Sequence, residues 1–173
     1  MKKTLLIVLL IIVGCYLLDD EAKAVLFLTK NNIPDSKVGQ VVFKDTPQGL
    51  LVKIDFKNLP SGLHGFHIHE NPSCDATTDP QGKVQAALGA GGHYDPDKTG
   101  KYLGPNGKGH KGDLPVLNVG ADGKKKMSFY VPHLTVKEIR ERSIIVHEGG
   151  DNYKDQPNLS GGGGARIACG VIK

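Results

Sequence analysis

The chain has no tryptophan and few other aromatics, five phenylalanines and five tyrosines in 173 residues. Binding of single-stranded nucleic acid relies on aromatic stacking platforms, and these are sparse here. The excess of positive over negative charge is small too. The formal net charge is +4, and Lys2 and Lys3 of the N-terminal segment supply part of it. The remainder carries about +2, too little to argue for a nucleic-acid partner. The apolar run Leu5 to Val13 is too short for a comfortable transmembrane helix. Cysteine is limited to three residues, Cys15, Cys74 and Cys169.

What is present, 39% hydrophobic and 23% charged residues, suffices for one domain of about 150 residues with a real core. Lys2 and Lys3 before the apolar run read as an export signal over residues 1–14. Ile12-Val13-Gly14-Cys15 resembles a bacterial lipoprotein signal box, in which the cysteine becomes the lipidated first residue of the mature chain. Residues 15–21 are then a short tether and 22–173 the folded domain. Two other readings stay open: a conventional cut after Ala22-Lys23-Ala24, and an uncleaved anchor. The expected location is outside the cytoplasm, in a bacterial periplasm and anchored to a membrane through Cys15. With Cys15 in the signal, Cys74 and Cys169 remain, and an even pair in an exported domain is most simply one disulfide, with two free buried thiols as the alternative.

The hydrophobic periodicity is that of strands. Ala24 to Leu28, Val38 to Phe43 and Leu50 to Phe56 are short apolar or alternating runs; Ser143 to His147 and Arg166 to Ile172 follow later. Val116 to Val119 and Met127 to Val131 flank Asp122-Gly123, a two-residue hairpin signal. A short helix is expected near Thr135, where Glu138 completes a capping box. The pattern predicts an all-β domain, an eight-stranded antiparallel Greek-key barrel or sandwich. Its two long connections, residues 71–115 and 148–165, are expected to be functional loops.

Most of the seven histidines fall where metal ligands would. His67 and His69 alternate on one stretch and can face the same way on a strand. His147 ends another strand and adds a third nitrogen if the two lie side by side. His93, His110 and Asp113 follow one another in the first long loop. Nitrogen and carboxylate donors of this kind suit copper and zinc.

Taken together, Gly65-Phe66-His67-Ile68-His69-Glu70, Gly91-Gly92-His93, Gly109-His110 with Gly112-Asp113, and Gly161 to Arg166 with Ala168-Cys169-Gly170 resemble copper,zinc superoxide dismutase. Gly149-Gly150-Asp151-Asn152-Tyr153 is similar to the bacterial periplasmic branch. The resemblance implies an oxidoreductase that converts two superoxide anions to dioxygen and hydrogen peroxide by Cu(II)/Cu(I) cycling. It implies copper on His67, His69, His93 and His147, with His93 bridging to zinc on His110 and Asp113. Arg166 would attract the anion, Asp151 would link the two metal sites, and Cys74 and Cys169 would form the family disulfide. Relatives include monomers and homodimers, and either is expected here.

One position departs from the family. Where a histidine ligand to zinc is expected, the chain reads Lys101-Tyr102-Leu103-Gly104-Pro105, so Tyr102 stands in the ligand position. Three readings stay open: Tyr102 ligates zinc as a phenolate, water completes the site while Tyr102 bonds to Asp151, or the site is empty and copper works alone. A copper carrier without turnover is the rival function, and it would be marked by loss of a copper ligand or of Arg166. His64 is expected to make structural hydrogen bonds, His133 to face solvent, and Lys124 to Lys126 to mark a solvated strand edge.

Overall fold

A computed structural model describes residues 20–29, 37–157 and 159–173. The export segment, Cys15 and the tether as far as Asp19 lie outside the described residues. The strands are β1 (Glu21–Leu28), β2 (Lys37–Thr46), β3 (Gly49–Phe56), β4 (Gly62–His64), β5 (Phe66–His69), β6 (Thr77–Thr78), β7 (Val84–Gln85), β8 (Leu117–Val119), β9 (Lys125–Val131), β10 (Ser143–His147) and β11 (Arg166–Val171). One helical turn, α1 (Val136–Ile139), precedes β10.

Alternation drives the meander. In β3, Leu50, Val52, Ile54 and Phe56 are buried while Lys53 and Asp55 face outward, the two-residue period of a half-buried strand. β1 buries Ala22, Ala24 and Leu26 in the same way. In β2 the period slips at Gly39, opposite a register shift at Leu26 and Phe27. A Cβ at Gly39 would lie 2.0 Å from Asp55 O, and its φ is +147°, so only glycine fits the irregularity.

The main sheet runs β5-β10-β11-β1-β2-β3-β9, with every pairing antiparallel. β4 and β5 are one strand interrupted at Gly65, and β8 pairs with β4. Apart from the small β6–β7 ladder in the first long loop, the principal strands are thus the expected eight. The core between the faces holds Leu26, Phe43, Phe56, Phe66, Leu117 and Ile144, and Phe56 meets Phe66 edge to face at 6.1 Å. Lys126 on the edge strand β9 pairs with Asp55 in solvent at 3.1 Å.

The capping box at α1 forms as expected, with Thr135 and Glu138 each satisfying the other's backbone N–H. The hairpin expected around Asp122-Gly123 does not form. The turn itself exists, Gly123 N–H donating to Gly120 O at 3.0 Å, but β8 pairs with β4 and β9 with β3. The chain crosses from one ladder to another at this turn. A good local turn cannot outweigh the pairing partners offered to the strands on either side.

Candidate metal centre

β10 is the backbone of the site. It pairs with β5 so that Ser143 faces His69 and Ile145 faces His67, and His147 N–H donates to Gly65 O at 2.8 Å. The two strands therefore bring His67, His69 and His147 together, and an isolated bridge between His69 and His93 adds the fourth imidazole. One ligand-capable atom from each lies within 4.8 Å of the others. A second group, His93, His110 and Asp113, meets the same criterion, so His93 belongs to both.

In the strand-borne imidazoles one nitrogen is tied to the protein. His67 Nε2–H donates to Asp151 Oδ2 at 2.7 Å, leaving Nδ1 buried and without a hydrogen-bond partner. His69 Nδ1 lies 3.0 Å from Gly91 O, and His147 Nδ1 lies 3.3 Å from Gly164 O. Those bonds put the proton on Nδ1 and leave the Nε2 atoms, 3.4 Å apart, as lone-pair donors. Burial, followed by the neighbouring His93, holds His67 and His69 well below the usual imidazole pKa. The same causes bring His147 down to about 4. Neutral imidazoles with converging lone pairs are the form a metal needs.

In the second group Asp113 Oδ1 lies 2.9 Å from His93 Nδ1 and 3.7 Å from His110 Nδ1. The second distance is too long for a hydrogen bond, yet the carboxylate raises the His110 pKa. His110 Nδ1 and Asp113 Oδ2 are buried without a partner. A buried polar atom left unsatisfied costs about 1–3 kcal/mol, so both groups have the donor chemistry and the unfilled valences that bound metal would satisfy.

Tyr102 is fully buried, and its hydroxyl donates to Asp151 Oδ2. The phenol oxygen also lies 3.0 Å from His67 Nε2. Burial, then the bond to Asp151, pushes its pKa far above the ordinary phenol value. The hydroxyl thus lies on Asp151, the placement that one of the three readings of Tyr102 expects. Asp151 is satisfied on both oxygens, since Oδ1 accepts from Tyr153 N–H at 2.8 Å.

Arg166 opens β11 and donates to Ala87 O and Gly91 O, each at 2.7 Å. These acceptors are neutral and leave its positive charge in place. Gly91 O therefore receives both Arg166 and His69. The disulfide joins Cys74 to Cys169, three residues beyond Arg166, with Cα atoms 5.8 Å apart. His64 is buried, its nitrogens 2.8 Å from His147 O and 2.9 Å from Pro60 O, a structural role as expected. His133 is exposed.

The sequence assigns no individual role to three contributors. Gly91 and Gly164 act through backbone carbonyls, which no side-chain pattern reveals. Asp155 accepts from Tyr102 N–H at 3.0 Å, and its nearness to the Asp151 motif is the one clue that could have found it.

The fold and the site define a β-barrel protein with two adjoining groups of side chains able to hold metal, which share the His93 imidazole. A family model described as copper/zinc superoxide dismutase matches residues 37–172. The Cu-Zn superoxide dismutase of Brucella abortus is 54% identical over 141 residues, 81% of either chain. A solved Cu/Zn superoxide dismutase from Brucella abortus superposes with a TM-score of 0.83 at 49% identity, covering 88% of this chain and 99% of that one. The solution structure of the monomeric enzyme from Salmonella enterica gives 0.75 at 45% identity, again over 88% and 99%. The chain belongs to the copper/zinc superoxide dismutase family.

Proposed function

We propose that the protein is a superoxide dismutase in which His67, His69, His93 and His147 hold copper and His93, His110 and Asp113 hold zinc. Copper held there would supply one-electron cycling between Cu(II) and Cu(I), taking an electron from one superoxide to give dioxygen and returning it to a second, which with two protons gives hydrogen peroxide. The protein's part is to keep three imidazoles in fixed tautomers through Asp151, Gly91 and Gly164. His93 Nδ1 lies 2.9 Å from Asp113 Oδ1, which supports a role for Nε2 in passing on one of the two protons that hydrogen peroxide needs, the other coming from water. Arg166 offers a positive charge to an incoming anion.

The observation that carries this reading is the shared carbonyl of Gly91, which seats the Arg166 guanidinium beside a copper-type imidazole. A protein that only stored copper would have no use for a cation fixed there. The test is superoxide decay, followed by stopped flow, on the copper-loaded protein and on Arg166→Leu. Rapid decay that slows in the variant supports the enzyme, whereas bound copper without turnover supports a carrier.

The Ile12-Val13-Gly14-Cys15 box supports export, with the mature protein lipidated at Cys15 and held at a membrane in the periplasm. Mass spectrometry of the mature N-terminus decides it, a diacylglyceryl cysteine being the expected product. An unmodified N-terminus further along the chain would contradict it.

A further inference from the structure

Histidine has two ring nitrogens and can give one to a metal and the other to a carboxylate; tyrosine has one oxygen and must choose. At position 102 the choice is Asp151, whose Oδ2 accepts the hydroxyl and also His67 Nε2–H. The tyrosine is pinned a second time, its backbone N–H donating to Asp155 Oδ2 at 3.0 Å, so one residue of the first long loop holds two carboxylates of the second. The ring stands edge-on to His67 and His93, with centroids 5.8 and 5.4 Å away. Gly161 makes the room. A Cβ there would lie 2.3 Å from Asp151 Oδ1 and 2.6 Å from Tyr102 Cε1, and its φ is +74°, a conformation side-chain-bearing residues rarely adopt.

We propose that Tyr102 is a positioning residue that fixes Asp151, and through it His67, without a metal, so that the copper cluster keeps its shape whether or not zinc is bound. The inference rests on the copper reading above. The zinc cluster then has three protein donors, His93, His110 and Asp113, and an open fourth position. Structural zinc sites normally close with four protein ligands, so zinc binds here more weakly than it would to a complete set. The hydroxyl gives Asp151 the hydrogen bond that an imidazole at 102 would give it, and leaves no second donor atom for zinc. In exchange for a ligand, the chain has a metal-independent brace on the copper side.

The test is the Cu(II) electron paramagnetic resonance spectrum of the copper-loaded protein with and without zinc, together with zinc affinity from competition with a chromophoric chelator. Zinc is expected to alter the native spectrum only through the shared His93, the number of coordinated nitrogens staying the same. In Tyr102→Phe, which removes only the oxygen, the zinc-free spectrum should change and broaden. Tyr102→His should bind zinc at least about 10-fold more tightly than native, since even partners one shell out from a metal are worth that much. A native sample whose number of coordinated nitrogens changes on zinc addition overturns the proposal, and that measurement requires no variant to fold. Native zinc affinity equal to that of Tyr102→His overturns it as well. Superoxide decay on the same native samples separates the two claims: absent turnover with an unchanged number of coordinated nitrogens would remove the dismutase reading and leave the brace standing.

Discussion

The two clusters that meet at His93 are built by opposite means. His67, His69 and His147 sit on β5 and β10, neighbouring strands of one sheet, and each has a second nitrogen held by Asp151, Gly91 or Gly164. His110 and Asp113 sit on the first long loop, His110 N–H donating to Lys101 O at 3.0 Å and Asp113 joined to the sheet by an isolated bridge to His67. A ligand on a ladder is already ordered when the ion arrives, whereas one on a loop must surrender conformational freedom to bind. The strand-borne cluster is therefore expected to be the robust half of the site, and the loop cluster, with Tyr102 turned away from it, the dispensable half.

Removing one ligand from each cluster gives the largest contrast. His147→Ala should lose bound copper and at least about 100-fold of dismutase activity, the upper end of what supporting partners alone are worth. His110→Ala should lose zinc while retaining copper and most activity. Metal analysis and superoxide decay on the two variants check this, and copper lost from His110→Ala would collapse the distinction.

Next comes the staple between β11 and the loop bearing Gly91. The disulfide closes a sequence separation of 95 residues, and the chain-entropy account assigns such a loop a stabilisation of about 4–5 kcal/mol. Cys74→Ala with Cys169→Ala should shift the urea midpoint accordingly; an unchanged midpoint would mean the loop is held by its other contacts. A smaller effect belongs to Arg166. Arg166→Leu should slow decay at limiting superoxide by about 10-fold and flatten its dependence on ionic strength, as loss of steering requires.

The smallest effect is the pH response of the metal-free protein. His67, His69 and His147 have folded pKa values below the ordinary histidine value of about 6.5, His147 reaching about 4. The unfolded chain takes up protons they refuse, so stability present above that value is lost as pH falls through the window between the two. His110, raised by Asp113, acts in the opposite sense: its contribution is complete below the unfolded value and lost as pH rises through its folded one. Three depressed histidines against one raised give a net loss in acid. Tyr102, raised by burial, should withdraw stability above about pH 10, where unfolded phenols ionise. Thermal midpoints across this range check the signs, and a midpoint that climbs from neutral pH into acid would contradict them.

Local signals were readable where local physics decides. The alternation of Leu50 to Phe56, the five residues of Ser143–His147 and the Thr135 capping box all appear as the sequence implies. Asp122-Gly123 misled because a turn fixes only a reversal, while β8 and β9 find their partners in β4 and β3. At the site, residue types and order indicated His67, His69, His93, His110, Asp113 and His147. They could not say where the Tyr102 oxygen goes, because that depends on where a carboxylate 49 residues later is placed. Nor could they show Gly91 O as the common acceptor of His69 and Arg166.

The most direct test of the central claim is superoxide decay by the purified protein carrying copper alone, compared with copper plus zinc. The account predicts rapid dismutation with copper alone, unaltered by zinc. Copper bound in both samples with no dismutation in either would contradict it and leave a copper carrier on this fold.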